Sequence, residues 1–286
     1  MITGTTQLLG VIGYPIQHSL SPVMHNAAIA HIGANYVYLP FQVHPDDLER
    51  AIAGFTAVGL MGFNITIPHK QRIMPCLSEM SSTAQAIGAV NTVWRTPQGW
   101  AGTNTDVEGF LAPLPQRTDW SQAIAVVLGN GGAARAVVAG CASLGCAEIC
   151  VVGRNMEKLN AFRTSWTDSS LSVNLSIYPW DALPALLSNC TLLVNTTPLG
   201  MHPRTNESPV SPSDLERLPP DAIAYDLIYT PNPTLFLQYA QARNLVAIDG
   251  VDMLVQQGAA ALRIWLNQPV PVDVMHQSLR EQLALG

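Results

Sequence analysis

The sequence predicts an α/β protein in two parts: an N-terminal α/β substrate domain, a Rossmann-like cofactor domain after it, and a cleft between them. Three observations carry this. Strand-like apolar runs alternate with helix-like runs over the first hundred or so positions, a glycine-rich turn stands between a strand and a helix at Gly129–Ala134, and 286 residues suffice for two ordinary cores.

The first strand is Leu8–Ile12, followed by a turn and a helix opening within SPVMHNAAIAHIG. Tyr36–Phe41 is the second strand, and HPDDLERAIAGF, with its acidic first turn, is the next helix. Gly62–Ile67, a helix from about Lys70, and Ala89–Trp94 continue the alternation, which implies a parallel-type sheet. The stretch from Asn104 to Trp120, with Pro97, Pro113 and Pro115 nearby, reads as the crossing between domains. The segment from Ala123 to Asn155 is then strand, glycine turn, helix, strand. Further strands fall at Thr191–Asn195, Ala222–Leu227 and Leu245–Ile248, with SPVSPSDLERLPPD a Pro/Ser-rich mobile loop between them and a helix over Asp252–Leu266 at the end.

Composition narrows the partners. With 12% charged residues, 48% apolar residues and a net charge of −6, the chain has no electrostatic footprint for nucleic acid or an anionic membrane, so a small molecule is the expected partner. The opening MITGTTQLLGVIGYP lacks a secretory pattern, and the least polar region is broken by Gly129, Asn130, Gly131, Gly132, Arg135 and Glu148. Five cysteines without a CxxC pair argue for free thiols and a reducing cytoplasm. His18, His25 and His69 lack metal-site spacing, so no metal is expected. Oligomeric state is not written in the sequence, and a homodimer is the assembly entertained.

Two motifs point to chemistry. In NITIPHK, strand alternation puts Asn64, Thr66 and Pro68 on one face and Phe63, Ile65 and Ile67 on the other, so one face suits a core and the other a polar ligand. Gly129, Gly131 and Ala134 form G-x-G-x-x-A in the strand–turn–helix context of a dinucleotide site, where backbone N–H groups meet a pyrophosphate. At the end of the next strand, an NAD site usually carries an acid for the ribose 2′-OH; here Gly153 is followed by Arg154, with Lys158 four residues on. Two cations suit a 2′-phosphate, so NADP is the expected cofactor. A nicotinamide cofactor moves hydride, so the substrate domain must supply a proton-transfer group. Lys70, beyond the polar face, and Asp106, ending GTNTD at the crossing, are the candidates.

The series SLSP, NITIPHK, GAVNT, GTNTD, GNGGAARA, NTTPLGM, DLIYTP and DMLVQQGA, in this order along nearly the whole chain, resembles the shikimate dehydrogenase family. The resemblance implies reversible NADP-linked reduction of 3-dehydroshikimate to shikimate on the route to chorismate and the aromatic amino acids. It implies a substrate domain of 1–106 to which helices in 250–286 return, and a cofactor domain of 107–249. Lys70 and Asp106 would be the catalytic pair. Ser19 and Ser21 would hold the substrate carboxylate, although Ser21 before Pro22 also suits a helix N-cap. Asn64, Thr66, Asn91 and Gln257 would reach the hydroxyl or keto groups, with Tyr229 nearby; helical periodicity places Gln257 inward with Met253, Leu254, Ala260, Ala261 and Ile264. Gly129, Gly131, Gly132, Ala133, Arg154, Asn155 and Lys158 would hold the adenine half of NADP, and Thr196, Met201 and Gly250 would lie by the ribose and nicotinamide. Where the family commonly reads N-R-T after the second strand, this chain has Gly153-Arg154-Asn155. The rival readings are a quinate/shikimate dehydrogenase of the same family and a non-catalytic sensor of shikimate and NADP.

Overall fold

The computed structural model describes residues 2–116 and 119–284. Residues 117 and 118, within the predicted crossing, lie outside the described residues. The chain divides into a unit of residues 1–109 with 254–286 and a unit of residues 110–253.

In chain order the first unit contains β1 (Gln7–Gly13), α1 (Ser21–His31), β2 (Tyr36–Gln42), α2 (Leu48–Ala57), β3 (Gly62–Ile65), β4 (Glu79–Met80), α3 (Ser82–Ile87), β5 (Thr92–Thr96) and β6 (Gly99–Thr103). Its sheet runs β2-β1-β3-β5-β6-β4. β1 is parallel to both β2 and β3, but β5 is antiparallel to β3 and to β6. The sheet is therefore mixed, which corrects the expected parallel type. Part of the reason is the unpredicted β6: Pro97 and Gln98 form a two-residue turn between Thr96 and Gly99, a connection only antiparallel strands permit. Phe63, Ile65, Val93, Trp100 and Ile52 build the core beneath it.

No helix starts at Lys70. Turns follow β3 and lead to a 3₁₀ turn at Met74–Cys76, where Pro75 brings no N–H with which to extend it. β3 also stops at Ile65, so Ile67 is 69% exposed rather than in the core.

α4 (Asp106–Leu111) carries the chain into the second unit, which contains β7 (Ile124–Leu128), α5 (Gly132–Ser143), β8 (Glu148–Gly153), α6 (Met156–Thr164), β9 (Leu175–Pro179), α7 (Leu183–Leu186), β10 (Leu192–Asn195), α8 (Pro212–Leu215), β11 (Ile223–Asp226), α9 (Leu235–Ala242) and β12 (Val246–Ile248). All its strands are parallel, in the order β12-β11-β10-β7-β8-β9. This is the doubly wound dinucleotide-binding order, reversing between β7 and β10. Buried on both faces, β7 and β10 are unbroken apolar runs up to Asn195. β9 was not expected from the sequence, because as an edge strand its residues are only half-buried. The stretch read as a mobile loop is anchored instead: Ser211 and Asp214 cap α8 reciprocally, and Val210, Leu215 and Leu218 are buried.

α10 (Val251–Leu266) and α11 (Val272–Ala284) return the chain to the first unit. There α11 packs on α1, and Trp265 Nε1 donates to the Val93 carbonyl at 2.9 Å.

Candidate active site

In the first unit the chain leaves β1 towards β2 on one side and lies beside β3 on the other. Loops at the carboxyl ends of β1 and β3 therefore part there, as they do wherever α/β sheets bind ligands. Ser19 and Ser21 follow β1; Thr66 and Lys70 follow β3. Because β5 runs antiparallel, its start and the end of β6 share that edge, which delivers Asn91 and Asp106 to the same place.

Lys70 Nζ lies 2.5 Å from Asp106 Oδ2, with side-chain exposures of 15% and 7%. Asn91 Nδ2 donates to Asp106 Oδ1 at 2.8 Å and, at 3.3 Å, to Oε1 of Gln257 on α10. Asn91 Oδ1 accepts from the Thr105 backbone at 2.7 Å and the Thr92 hydroxyl at 3.1 Å. Asn64 joins the network: its Nδ2 donates to Thr92 Oγ1 at 3.0 Å and its Oδ1 accepts from Tyr38 at 2.7 Å. Hydrogen bonds thus run without a break from the Tyr38 phenol to the Lys70 ammonium. Such a network fixes rotamers that an isolated lysine or carboxylate would not hold.

Behind it His25 stacks on Tyr38, with ring centroids 4.1 Å apart. Burial drives the His25 ring to a pKa of about 3, with Asn64 offsetting part of that effect, and burial raises the Tyr38 phenol well above its ordinary value. Both are neutral at physiological pH.

Two local expectations change. Ser21 does not cap α1: Val23 N donates to the Leu20 carbonyl at 3.0 Å, so Leu20 occupies the cap position and Ser21 is the first helical residue. Ser19 is the serine with a local bond, a long one of 3.4 Å from the Ser21 N–H. Gln257 is buried as expected, but Ile264, expected on the same face, is 38% exposed. Thr66 is half-buried, with its N–H donated to the Ile12 carbonyl.

The second unit gathers the candidate cofactor residues at the reversal of its strand order. Gly129 has φ +103°, and a Cβ there would lie 2.8 Å from Thr196 Oγ1. That position therefore requires glycine. Gly131 caps α5 with no side chain of its own, and a Cβ built there meets nothing within 4 Å. The N–H groups of Gly132 and Ala133 stand in the first turn of α5, where a helix offers its N–H groups no partner of its own, which suits a phosphate. Ala134 is fully buried between helix and sheet. Arg154, Asn155 and Lys158 are exposed together at the start of α6, where the Asn155 side chain accepts the Lys158 N–H at 2.9 Å. A Cβ at Gly153 would stand 3.1 Å from Leu159 Cδ2, a tight approach to the leucine packed on the strand end. These residues fit a dinucleotide with a 2′-phosphate.

Around the ends of β10, β11 and β12 lie Thr196, whose hydroxyl donates to Leu128 at 2.7 Å, half-exposed Met201, Tyr229, and Gly250, where a Cβ would be 2.2 Å from the Leu227 carbonyl oxygen. Below them Asp226 is fully buried, and burial pushes its carboxyl up to about 7 against the opposing effect of its hydrogen bonds.

The family model of the shikimate dehydrogenase substrate binding domain matches residues 11–93, and that of the shikimate 5'-dehydrogenase C-terminal domain matches residues 250–280. A shikimate dehydrogenase (NADP(+)) of Trichormus variabilis is 62% identical over all of both chains. The chain belongs to the shikimate dehydrogenase family. Another member, from Gloeothece citriformis, is 60% identical over 100% of this chain and 99% of its own. A crystal structure of a shikimate dehydrogenase in complex with NADP+ superposes with a TM-score of 0.89 at 36% identity, covering 99% of this chain and 98% of that one.

Tyr38, Thr92, Thr105, Asn195 and Asp226 join these hydrogen-bond networks and were not singled out from the sequence. Thr92 and Thr105 adjoin residues already singled out, so GAVNT and GTNTD held the signal. Tyr38 lies in an apolar strand and gave none. Among the described residues no cluster of His, Cys, Asp or Glu could hold a metal, no helix is long and apolar enough to cross a membrane, and all five cysteines are free thiols.

Proposed function

We propose that the chain catalyses the reversible NADPH-linked reduction of 3-dehydroshikimate to shikimate, with Lys70 and Asp106 as its acid–base pair. The observation that carries this is the nearly buried Lys70–Asp106 contact of 2.5 Å, held from behind by Asn91. Bound NADP supplies the hydride donor and acceptor. In the oxidising direction Lys70 Nζ gives one of its protons to Asp106 Oδ2, 2.5 Å away, and takes the hydroxyl proton of shikimate in its place. In the reducing direction the pair returns it to the new alkoxide. Asp106 and Asn91 orient the lysine, Gln257 and Asn91 contact the hydroxyls, and Asn64 and Thr66 line the same edge. Ser19 and Ser21 take the carboxylate, and Tyr229 is a further substrate-binding residue. Gly129, Gly131, Gly132 and Ala133 hold the diphosphate, while Arg154, Asn155 and Lys158 hold the 2′-phosphate. Thr196, Met201 and Gly250 serve the other half of the dinucleotide.

Five free thiols suit a reducing cytoplasm. Light scattering distinguishes a single chain from a homodimer. The decisive experiment compares shikimate and quinate with NADP+ and NAD+. Turnover on shikimate with NADP+ supports the assignment; preference for quinate or NAD+ favours the quinate/shikimate type; binding of both ligands without turnover makes the protein a sensor.

A further inference from the structure

Asp226 is a buried carboxyl that the acid–base chemistry does not use. It has no exposed surface, and among the described residues it forms no ion pair. Burying a carboxylate without a cation is unfavourable, and an apolar side chain at the end of a buried strand would be more stable. What the carboxylate offers instead is acceptors in several directions.

Its three donors are uncharged and come from separate segments. Asn195 Nδ2, at the end of neighbouring β10, donates to Oδ1 at 3.0 Å. The Ile228 N–H, two residues beyond β11, donates to Oδ1 at 3.1 Å. Thr234 Oγ1, which caps α9, donates to Oδ2 at 2.7 Å. Asn195 extends this grip: its Oδ1 accepts from the Thr197 N–H at 2.9 Å and the Thr197 hydroxyl at 2.7 Å, and its Nδ2 also reaches the Leu199 carbonyl at 3.1 Å. A third loop rests on the second, since Gly250 N donates to the Ile228 carbonyl at 3.1 Å and has no room for a Cβ beside Leu227. The loops following β10, β11 and β12 therefore depend on one carboxylate.

The opposite side of the strand-order reversal is built differently. The glycine turn and the Arg154/Lys158 pair follow β7 and β8, and none of the Asp226 hydrogen bonds reaches them. In this fold the adenine ribose is read at the end of the strand corresponding to β8, so the other half of a dinucleotide falls over β10–β12. We propose that Asp226, acting through Asn195, is a positioning residue for the nicotinamide half of the cofactor site, setting the loops that carry Thr196, Met201, Tyr229 and Gly250. This rests on the NADP reading given above.

The test separates the two halves of the ligand. Binding of NADP+ and of adenosine 2′,5′-bisphosphate, which has the adenine half alone, is measured by calorimetry in the unmutated protein, Asp226→Ala and Thr197→Val. Losing hydrogen bonds to a charged acceptor predicts that Asp226→Ala weakens NADP+ about 10- to 100-fold while bisphosphate affinity stays within about twofold. Thr197→Val removes only one hydroxyl from the network and should weaken NADP+ roughly 3- to 10-fold with the same selectivity. It decides the matter if Asp226→Ala does not fold. Unchanged NADP+ affinity, or equal loss of both ligands, overturns the proposal, the latter because a residue that merely holds the unit together would not discriminate. Failure of the unmutated protein to bind either ligand overturns the NADP reading as well, and so is distinguishable from failure of the positioning role alone.

Discussion

Lys70→Ala removes the proposed proton carrier from a pair whose side chains are 15% and 7% exposed. Loss of general acid–base catalysis of this type lowers kcat by about 10²- to 10⁴-fold, or roughly 3–5.5 kcal/mol of barrier. Stability falls too, because Asp106 keeps its charge and its Asn91 bond but loses its cation. Breaking a buried pair costs about 3–5 kcal/mol, and the lower end applies because truncating the lysine opens a path for water. At about 2–4 °C per kcal/mol for a chain of this size, Tm drops by roughly 6–12 °C. Adding Asp106→Asn to the variant removes the stranded charge and should recover most of that Tm without recovering activity. The assays are NADPH absorbance with shikimate and NADP+, shikimate binding by calorimetry, and thermal unfolding. A Lys70→Ala enzyme within about tenfold of the unmutated kcat would refute the acid–base assignment. A double variant less stable than the single one would refute the claim that Asp106 is destabilised by being left alone.

Arg154→Ala should raise the dissociation constant for NADP+ about tenfold or more and leave that for NAD+ unchanged, since only the former carries the 2′-phosphate; equal effects on both would remove Arg154 from that role. Gly250→Ala places a Cβ 2.2 Å from the backbone oxygen of Leu227, so the chain itself must move, and a loss of about 3 kcal/mol is expected in urea unfolding; wild-type stability would show that the loop yields freely. His25 titrates at about 3 in the folded protein and near 6.5 unfolded, so the unfolded chain takes up the proton first. Its contribution is fully present above pH 6.5 and fades as the pH falls towards 3, by about 2 kcal/mol at pH 5. Asp226, raised to about 7, opposes this over the range from about 4 to 7, so the His25 contribution is read as the difference in pH–stability slope between the unmutated protein and His25→Phe. Parallel slopes would mean the ring is not protonated selectively on unfolding.

Elements with strong local chemistry were legible in the sequence. The strand–glycine–helix unit around Gly129 follows from chain sterics, and polar Asn64 among apolar neighbours signals a strand end that meets something other than the core. Lys70 and Asp106 could be named as candidates, but their 2.5 Å contact depends on two antiparallel pairings that bring the end of β6 beside β3. A two-residue turn at Pro97–Gln98 sets the β5–β6 pairing, and its flanking strands show weak alternation. Tyr38 was illegible for a related reason: a tyrosine in an apolar strand looks like core until β2, β1 and β3 are placed side by side. Ser21 misled because Ser-Pro suits a cap at Ser21, one residue later than the Leu20 cap adopted. Asn195 ended one predicted strand and Asp226 stood one residue before the end of another, where polar residues are routine, and only tertiary structure shows that they bond to each other.

The first unit is discontinuous in the chain, made of residues 1–109 and 254–286, while the second is a single stretch. On the ribosome the two therefore cannot mature in the order in which they begin. Residues 110–253 are complete once Met253 has emerged, whereas the sheet that began first still lacks Gln257 against Asn91, Trp265 against Val93, and α11 against α1. The nucleotide-binding part can settle during synthesis, and the lysine–aspartate site acquires its last supports only after the residues beyond Met253 have emerged. A nascent chain thus gains the capacity to hold a cofactor before it gains a finished place for the substrate.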